Sequence, residues 1–576
     1  MGVPGFFSWL LKNKKSSNGK LILECVNKKV DYLMLDTNCL LHPCVHNILE
    51  KYSKNELKLN SKISVRAQLE NFIWERIKYV IDDMIDKLNP EYLYIAIDGV
   101  APIGKILQQR QRRYKYLFDK NIKLNAPEKI EKEEIEFITE DFIHVPKKPI
   151  SSIELTPGTD YMERIHLQIE KYVEELKKQK RKCIYSSYHE EGEGEHKILQ
   201  YIKNNINPTD TILIYGLDAD LLFLALGTGK EYDLYVMREI QIFSNEELDF
   251  DEIIDYNYVE IKQLHKLIEN LNISTNDFIT LCYFVGNDFL PNLLTLDIKK
   301  GGLDKLLSSY DKLKEKYSGN LPNLTEITPD GEIKINHQIL KELLQMLLWT
   351  EKWIWTNINR DKFLVQTDKD EIEQSRYHKQ NSKPNALNNF ALGTTANTEG
   401  LDKIQFGSKL EYYNYYFGIE NLAVDGELIK RVVKDYITGI EWCINYYLKE
   451  CVSWSWGYNF LVAPLITDIV NFYPKKISIS KTKCQLNPIE QLILAIPPET
   501  YHYVISKKII ETISKNKRIG YMFPESFDID INKETLYWKC QVKIPIVEYY
   551  EYLNTMQTLK IVDIKNEKFP YIKNFT

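Results

Sequence analysis

The stretch YLYIAIDGVAPIGKILQQRQRR, residues Tyr92 to Arg113, decides how the chain is built. It starts as a short apolar run rich in Ile, Leu and Tyr and ends that run on one carboxylate, Asp98. Runs of this kind read as strands buried on both faces of a parallel sheet. Two others repeat the pattern: YLMLD ends on Asp36, and TILIYGLDAD carries Asp218 and Asp220 just past its apolar part. Long helical patterns separate them, over residues 65–88 and 161–180. Strands alternating with helices predict an α/β fold, a parallel sheet with helices on both faces, whose function gathers at the carboxyl ends of the strands. Three acid-terminated strands would bring their carboxylates to one edge.

Other acids join them. Glu193 and Glu195 lie in GEGEHKI, where glycines permit a tight loop and a helical pattern follows, and Asp288 lies in FVGNDFLP. Each acid alone is more simply a turn former or a helix cap. Together, Asp36, Asp98, Glu193, Glu195, Asp218, Asp220 and Asp288 could share a cleft only with compensation, because like charges raise one another's pKa values. Two Mg²⁺ ions, replaceable by Mn²⁺, would supply it: hard cations prefer carboxylate and water oxygens. A pair roughly 3.5 to 4 Å apart stabilises the attacking and leaving oxygens of phosphodiester hydrolysis.

After Asp98 the chain turns basic, with five Lys/Arg and no acid between Lys105 and Tyr116. Lys105, Gln109, Arg112 and Arg113 fall on one face of a predicted helix. Such a face is usually just solvated, but next to Asp98 it could grip a terminal phosphate, with Arg giving forked hydrogen bonds and Lys a point charge. His42, six residues after Asp36, and Trp454 and Trp456 in SWSW are candidate stacking platforms for bases. The spacing does not choose between the two tryptophans, and each ring alone reads as an ordinary core or surface residue.

At 576 residues the chain exceeds one core, and no apolar run approaches the roughly 20 residues of a membrane span, so an integral membrane protein is not expected. A net charge of -6 gives no global pull toward nucleic acid, so such binding must rest on local patches. Nine scattered cysteines without a CxxC pair argue for a reducing intracellular compartment, cytoplasmic before nuclear, and against a disulfide frame or zinc site. The opening MGVPGFFSWLLKNKK carries its lysines behind its apolar part, unlike a secretory signal. The polar residues 366–402 read as a linker between a first domain, 1–365, and a mainly helical second region, 403–576, that packs on it.

Taken in order, MGVPGFFSWL, DTNCLLHPCVH, DGVAPIGKILQQRQRR, TPGTDYM, GEGEHKI, YGLDADL, FVGNDFLP, SWSW, PIEQLILAIPP and YWKCQVKIPIVE resemble the blocks of the XRN family of 5′-to-3′ exoribonucleases. They span that family's two conserved regions and nearly the whole chain. DGVAP with its basic helix and GEGEHKI are the specific signals, since the short acid motifs recur in related nucleases.

The resemblance implies a PIN-like core and a Mg²⁺-dependent, monomeric enzyme of RNA decay that cuts single-stranded 5′-monophosphorylated RNA to mononucleotides. It assigns the seven acids to metal, and Lys105, Gln109, Arg112 and Arg113 to the 5′ phosphate. His42 and one of Trp454 and Trp456 would stack on bases, and the N-terminal segment would pack near the active site. Ile103 and Gly104 stand where the family more often has Arg and Ala, and GYNFLVAP replaces the usual run after SWSW. A flap-type DNA endonuclease and an inactive RNA-binding scaffold are the rival readings. GEGEHKI weighs against the first, and the full set of acids against the second.

Overall fold

The computed structural model describes residues 3, 5–13, 21–125, 149–216, 220–239, 255–357, 408–422, 425–530 and 540–561. Asp218 and the expected linker 366–402 lie outside them.

All three acid-ended runs form strands, and they are neighbours. Strands β1 (Ile22–Leu23), β2 (Tyr32–Asp36), β3 (Tyr92–Ala96), β4 (Lys182–Ser186), β5 (Thr211–Tyr215), β6 (Asp233–Glu239) and β7 (Tyr256–Glu260) make one sheet in the order β1-β7-β6-β5-β2-β3-β4. From β2 to β6 the pairing is parallel, while β7 pairs antiparallel with both β6 and β1. The sheet is therefore mixed at one edge. Asp36 stands opposite Ala96 of β3, and its neighbour Leu35 stands opposite Tyr215, the last residue of β5. Strand order runs outward in opposite directions from the β2–β5 pair, so the carboxyl ends of these strands flank a switch point, where open α/β sheets form their ligand crevice.

Helices α1 (Phe6–Asn13), α2 (Asn38–Ser53), α3 (Val65–Leu88), α4 (Ile103–Asn125), α5 (Asp160–Lys178), α6 (Gly194–Asn205) and α7 (Asp220–Leu226) surround the sheet. Helix α3 has the bounds its pattern predicts, because the Ser64 hydroxyl accepts from Ala67 N–H at its start and left-handed Asn89 stops it. Alternation along β2 sends Tyr32 and Met34 into one core with α6 and α7, and Leu33 and Leu35 into another with α3 and α5. A third core joins Ile103 and Ile106 of α4 to Leu492, Ile493 and Tyr552.

The second region completes the sheet's own core as well as the third one. The helix Gly426–Leu448 buries Trp442, Tyr446 and Tyr447 in the core that holds α7. Helix α1 packs there too: the Phe6 ring lies 4.6 Å from that of Phe223, on the helix whose first residue is Asp220. No helix among the described residues is long and apolar enough to cross a membrane, and all nine cysteines are free thiols.

Candidate active site

Six of the seven expected acids lie in the described residues, each placed by the end of an element. Asp36 ends β2, Asp98 lies just past β3, Glu193 precedes α6, Glu195 is in its first turn, and Asp220 opens α7. Asp288 follows the helix Thr275–Tyr283. Gly194 presses the start of α6 onto the strand ends. Its N–H donates to Asp98 Oδ1 at 2.6 Å, and a Cβ there would stand 2.9 Å from Asp36 Oδ1 and 3.4 Å from Asp98 Oδ1. Only glycine permits that approach, and the positive end of the helix then favours both carboxylates. Asn38 Nδ2 donates to the other Asp98 oxygen at 2.5 Å.

Lys105 of α4 reaches into the same cluster. Its Nζ lies 2.8 Å from Glu193 Oε1 and 3.0 Å from Asp288 Oδ2. The Tyr446 hydroxyl donates to Glu193, and the Tyr447 hydroxyl donates to Asp220 Oδ2 at 2.7 Å. Asp220 Oδ1 is buried and accepts no hydrogen bond. Burial, with Glu193 nearby, pushes the Asp98 carboxyl up to about 6, and burial with Asp288 nearby pushes Asp220 up to about 7. Burial opposes the Lys105 charge, yet Glu193, Asp288, Glu195 and Asp220 hold its ammonium well above the usual lysine value.

One ammonium thus faces more carboxylate than it can balance, an all-oxygen surplus that fits a hard divalent cation. Among the described residues, no three of these acids place ligand oxygens within 4.8 Å of one another; they lie around Lys105 and around Gly194 instead.

The basic helix divides its work. Arg113 Nη2 donates to Thr156 Oγ1 at 2.9 Å, whereas its Nη1 is buried without a partner, and burial beside Arg112 lowers the guanidinium to about 9. Gln109 is half-buried with Oε1 unpartnered, and Arg112 is exposed. Arg110, only 1% exposed, points the other way: its Nη1 donates to the Leu494 carbonyl at 2.9 Å and its Nη2 to that of Met522.

The departures at Ile103 and Gly104 have a packing explanation. Ile103 is a buried member of the third core, and its N–H donates to the Trp454 carbonyl at 2.9 Å. A Cβ on Gly104 would come within 3.3 Å of the Phe289 ring, and one on Gly457 within 2.7 Å of Leu107, so α4 and the SWSWG segment touch nearly backbone to backbone.

That contact separates the tryptophans. The Trp456 ring packs 4.8 Å from Trp442, and a Cβ on Gly439 would stand 2.7 Å from it, so it is half-buried against the core. Trp454 is half-buried, outside the hydrophobic clusters and without a ring contact among the described residues. His42 is exposed on α2.

Asn38, Thr156, Tyr446 and Tyr447 were not among the residues expected from sequence. Asn38, two residues after Asp36, and Thr156, in TPGTDYM, carried a positional signal. The tyrosines carried none, because they meet Asp220 and Glu193 across 227 and 253 residues of chain.

Comparison with known proteins agrees with this layout. The family described as "XRN 5′-3′ exonuclease N-terminus" matches residues 1–240, and "Xrn1 helical domain" matches 269–391 and 364–570. The chain is 26% identical to 5′-3′ exoribonuclease 1 of Schizosaccharomyces pombe, over 95% of its own length and 48% of that protein's. With the human protein of the same name it shares 26% over 97% of its length and 34% of the relative's. With the 5′-3′ exoribonuclease 2 homolog of Drosophila melanogaster it shares 25% over its full length and 74% of the relative's. It thus spans about half of the first relative and a third of the second. The chain belongs to the XRN family.

Proposed function

We propose that the chain is a Mg²⁺-dependent 5′-to-3′ exoribonuclease of RNA decay, acting as a monomer on single-stranded RNA with a 5′ monophosphate and releasing mononucleotides. The observation that carries this reading is the half-satisfied Arg113 guanidinium on the same helix that presents Lys105 to Glu193 and Asp288. A terminal phosphate oxygen supplies Nη1 with the charge-assisted partner it lacks, while Gln109 and exposed Arg112 lie on the same helix face. A triphosphate or cap would be disfavoured because its added charge and bulk would have to be desolvated without partners beside Arg113. Trp454 and His42 offer ring faces to the first bases, which stack without being identified. The relatives' names, 5′-3′ exoribonuclease, support the same assignment.

Asp36, Asp98, Glu193, Glu195, Asp218, Asp220 and Asp288 would hold the metal. Bound Mg²⁺ supplies Lewis-acid stabilisation and makes water a stronger nucleophile. Asn38 and the Gly194 N–H hold the Asp98 carboxylate in place, and Tyr447 does so for Asp220. Lys105 pairs with Glu193 and Asp288 and would add positive charge beside the phosphodiester.

The test is one RNA prepared with 5′-hydroxyl, 5′-monophosphate, 5′-triphosphate and capped ends, incubated with the protein and Mg²⁺. Only the monophosphate should be converted rapidly to mononucleotides, and Asp220→Asn should stop that conversion. Equal decay of all four RNAs, or oligonucleotides released from a DNA flap, would overturn the assignment.

A further inference from the structure

A second titratable cluster lies outside the acidic site. Glu163 and His166 are three residues apart on α5 and so share a helix face. His189 comes from the loop between β4 and α6. One ligand atom from each lies within 4.8 Å of the other two, a grouping that no other His, Cys, Asp or Glu set among the described residues achieves. We propose that Glu163, His166 and His189 form a zinc-class metal site, separate from the acidic cluster, that fastens the loop carrying Glu193 to α5.

The donor set and its geometry argue for such an ion. Two imidazoles and one carboxylate suit Zn²⁺ and are a poor match for Mg²⁺, which prefers oxygen throughout. Three protein ligands leave one position of a tetrahedral ion for water. His189 Nε2 lies 3.3 Å from Glu163 Oε2, long for a charge-assisted hydrogen bond of about 2.7 to 2.9 Å. It equals the edge of about 3.3 Å between two ligands held at about 2.0 to 2.1 Å in a tetrahedron. The His166 and His189 rings lie 4.4 Å apart. Outer partners are in place as well: the Tyr185 hydroxyl is 2.9 Å from His166 Nδ1, and the Tyr188 hydroxyl donates to Glu163. A proton on Nδ1, donated to the Tyr185 hydroxyl, would leave Nε2 of His166 for the metal, the arrangement that fixes a ligand's tautomer.

The loop leads directly into the acidic site. Gly99 N–H donates to the Gly192 carbonyl at 2.9 Å, and Gly192 N–H donates to that of Val100 at 2.8 Å. Lys197 Nζ bridges the carbonyls of Ile97 and Ser187, at 2.8 and 2.7 Å. The loop is therefore laced to the backbone on both sides of Asp98, and Glu193 is its next residue. A metal at His189 fixes the loop's other side to α5. These are positioning residues; they do not touch substrate.

The test uses the full chain, purified with Mg²⁺ present and without added zinc, for metal analysis, then stripped with chelator and titrated with Co²⁺ and Zn²⁺. One equivalent of zinc is expected on purification, with a tetrahedral Co²⁺ visible band after exchange and a rise in melting temperature with Zn²⁺. His189→Ala and Glu163→Gln should each weaken Co²⁺ binding at least tenfold and abolish the Zn²⁺-dependent rise. Both side chains are only half-buried, so either variant can serve if the other fails to fold. Asp220→Asn should leave all three readings unchanged. Substoichiometric zinc with no Co²⁺ band, a band unchanged in both site variants, or a band lost in Asp220→Asn would overturn the proposal. None of these readings depends on RNA hydrolysis, so the proposed activity stands or falls separately.

Discussion

Helix α4 carries two kinds of cation, and the two sides of the helix treat them oppositely. Arg110 faces the third core and is held by the fold itself: both Nη groups donate to backbone carbonyls, the Tyr114 ring lies 4.6 Å beneath its guanidinium, and Nε alone has no partner. Lys105 and Arg113 lie on another face of the helix, where Lys105 is outnumbered by carboxylates and Arg113, bound to Thr156, keeps its outer Nη1 donor without a partner. A buried cation whose two outer donors are spent on backbone carbonyls holds a fold together. One with an outer donor left over costs the fold free energy and keeps that donor for a ligand.

Substitutions along α4 test the contrast. Lys105→Met should have the largest effect, since it leaves Glu193 and Asp288 buried together without their cation. In EDTA we expect a loss of about 3 to 5 kcal/mol in denaturant unfolding, with Mg²⁺ restoring part of it. Equal loss with and without Mg²⁺ would place Lys105 on the structural side with Arg110. Arg110→Met should cost about 3 kcal/mol by orphaning the carbonyls of Leu494 and Met522, with unchanged turnover per folded molecule.

The tryptophans extend the contrast off the helix. Trp454→Ala should weaken RNA binding by about 1 to 3 kcal/mol without moving the unfolding midpoint, whereas Trp456→Ala should lower the midpoint first. Gly104→Ala is the smallest change: the helix gains up to about 1 kcal/mol of propensity and loses a similar amount to the Phe289 contact, so stability should stay within about 1 kcal/mol of wild type.

Much of this was legible in the sequence where the signal was local. Three apolar runs closed by Asp36, Asp98 and the acids after Tyr215 marked parallel strands, and the helix from Val65 to Leu88 was readable from its pattern. The antiparallel edge made by β7 and β1 was not, because a short strand does not disclose its direction. Helical spacing kept Arg110 off the face that carries Arg113, but what holds Arg110 is tertiary: its carbonyl partners lie 384 and 412 residues away. The different surroundings of Trp454 and Trp456 are likewise tertiary, set by Gly439 and Trp442. The Glu163 and His166 spacing was visible, but only β4 and the loop after it bring His189 to them.

The most direct measurement is the ratio of kcat/KM for 5′-monophosphate over 5′-hydroxyl RNA, taken for wild type and for Arg113→Met. Losing charge-assisted contacts worth about 1.5 to 3 kcal/mol should cut that ratio roughly 10- to 150-fold, with the unfolding midpoint unchanged or raised because a buried, half-paired charge has gone. An unchanged ratio with a lowered midpoint would make Arg113 a second Arg110 and remove the phosphate site from α4.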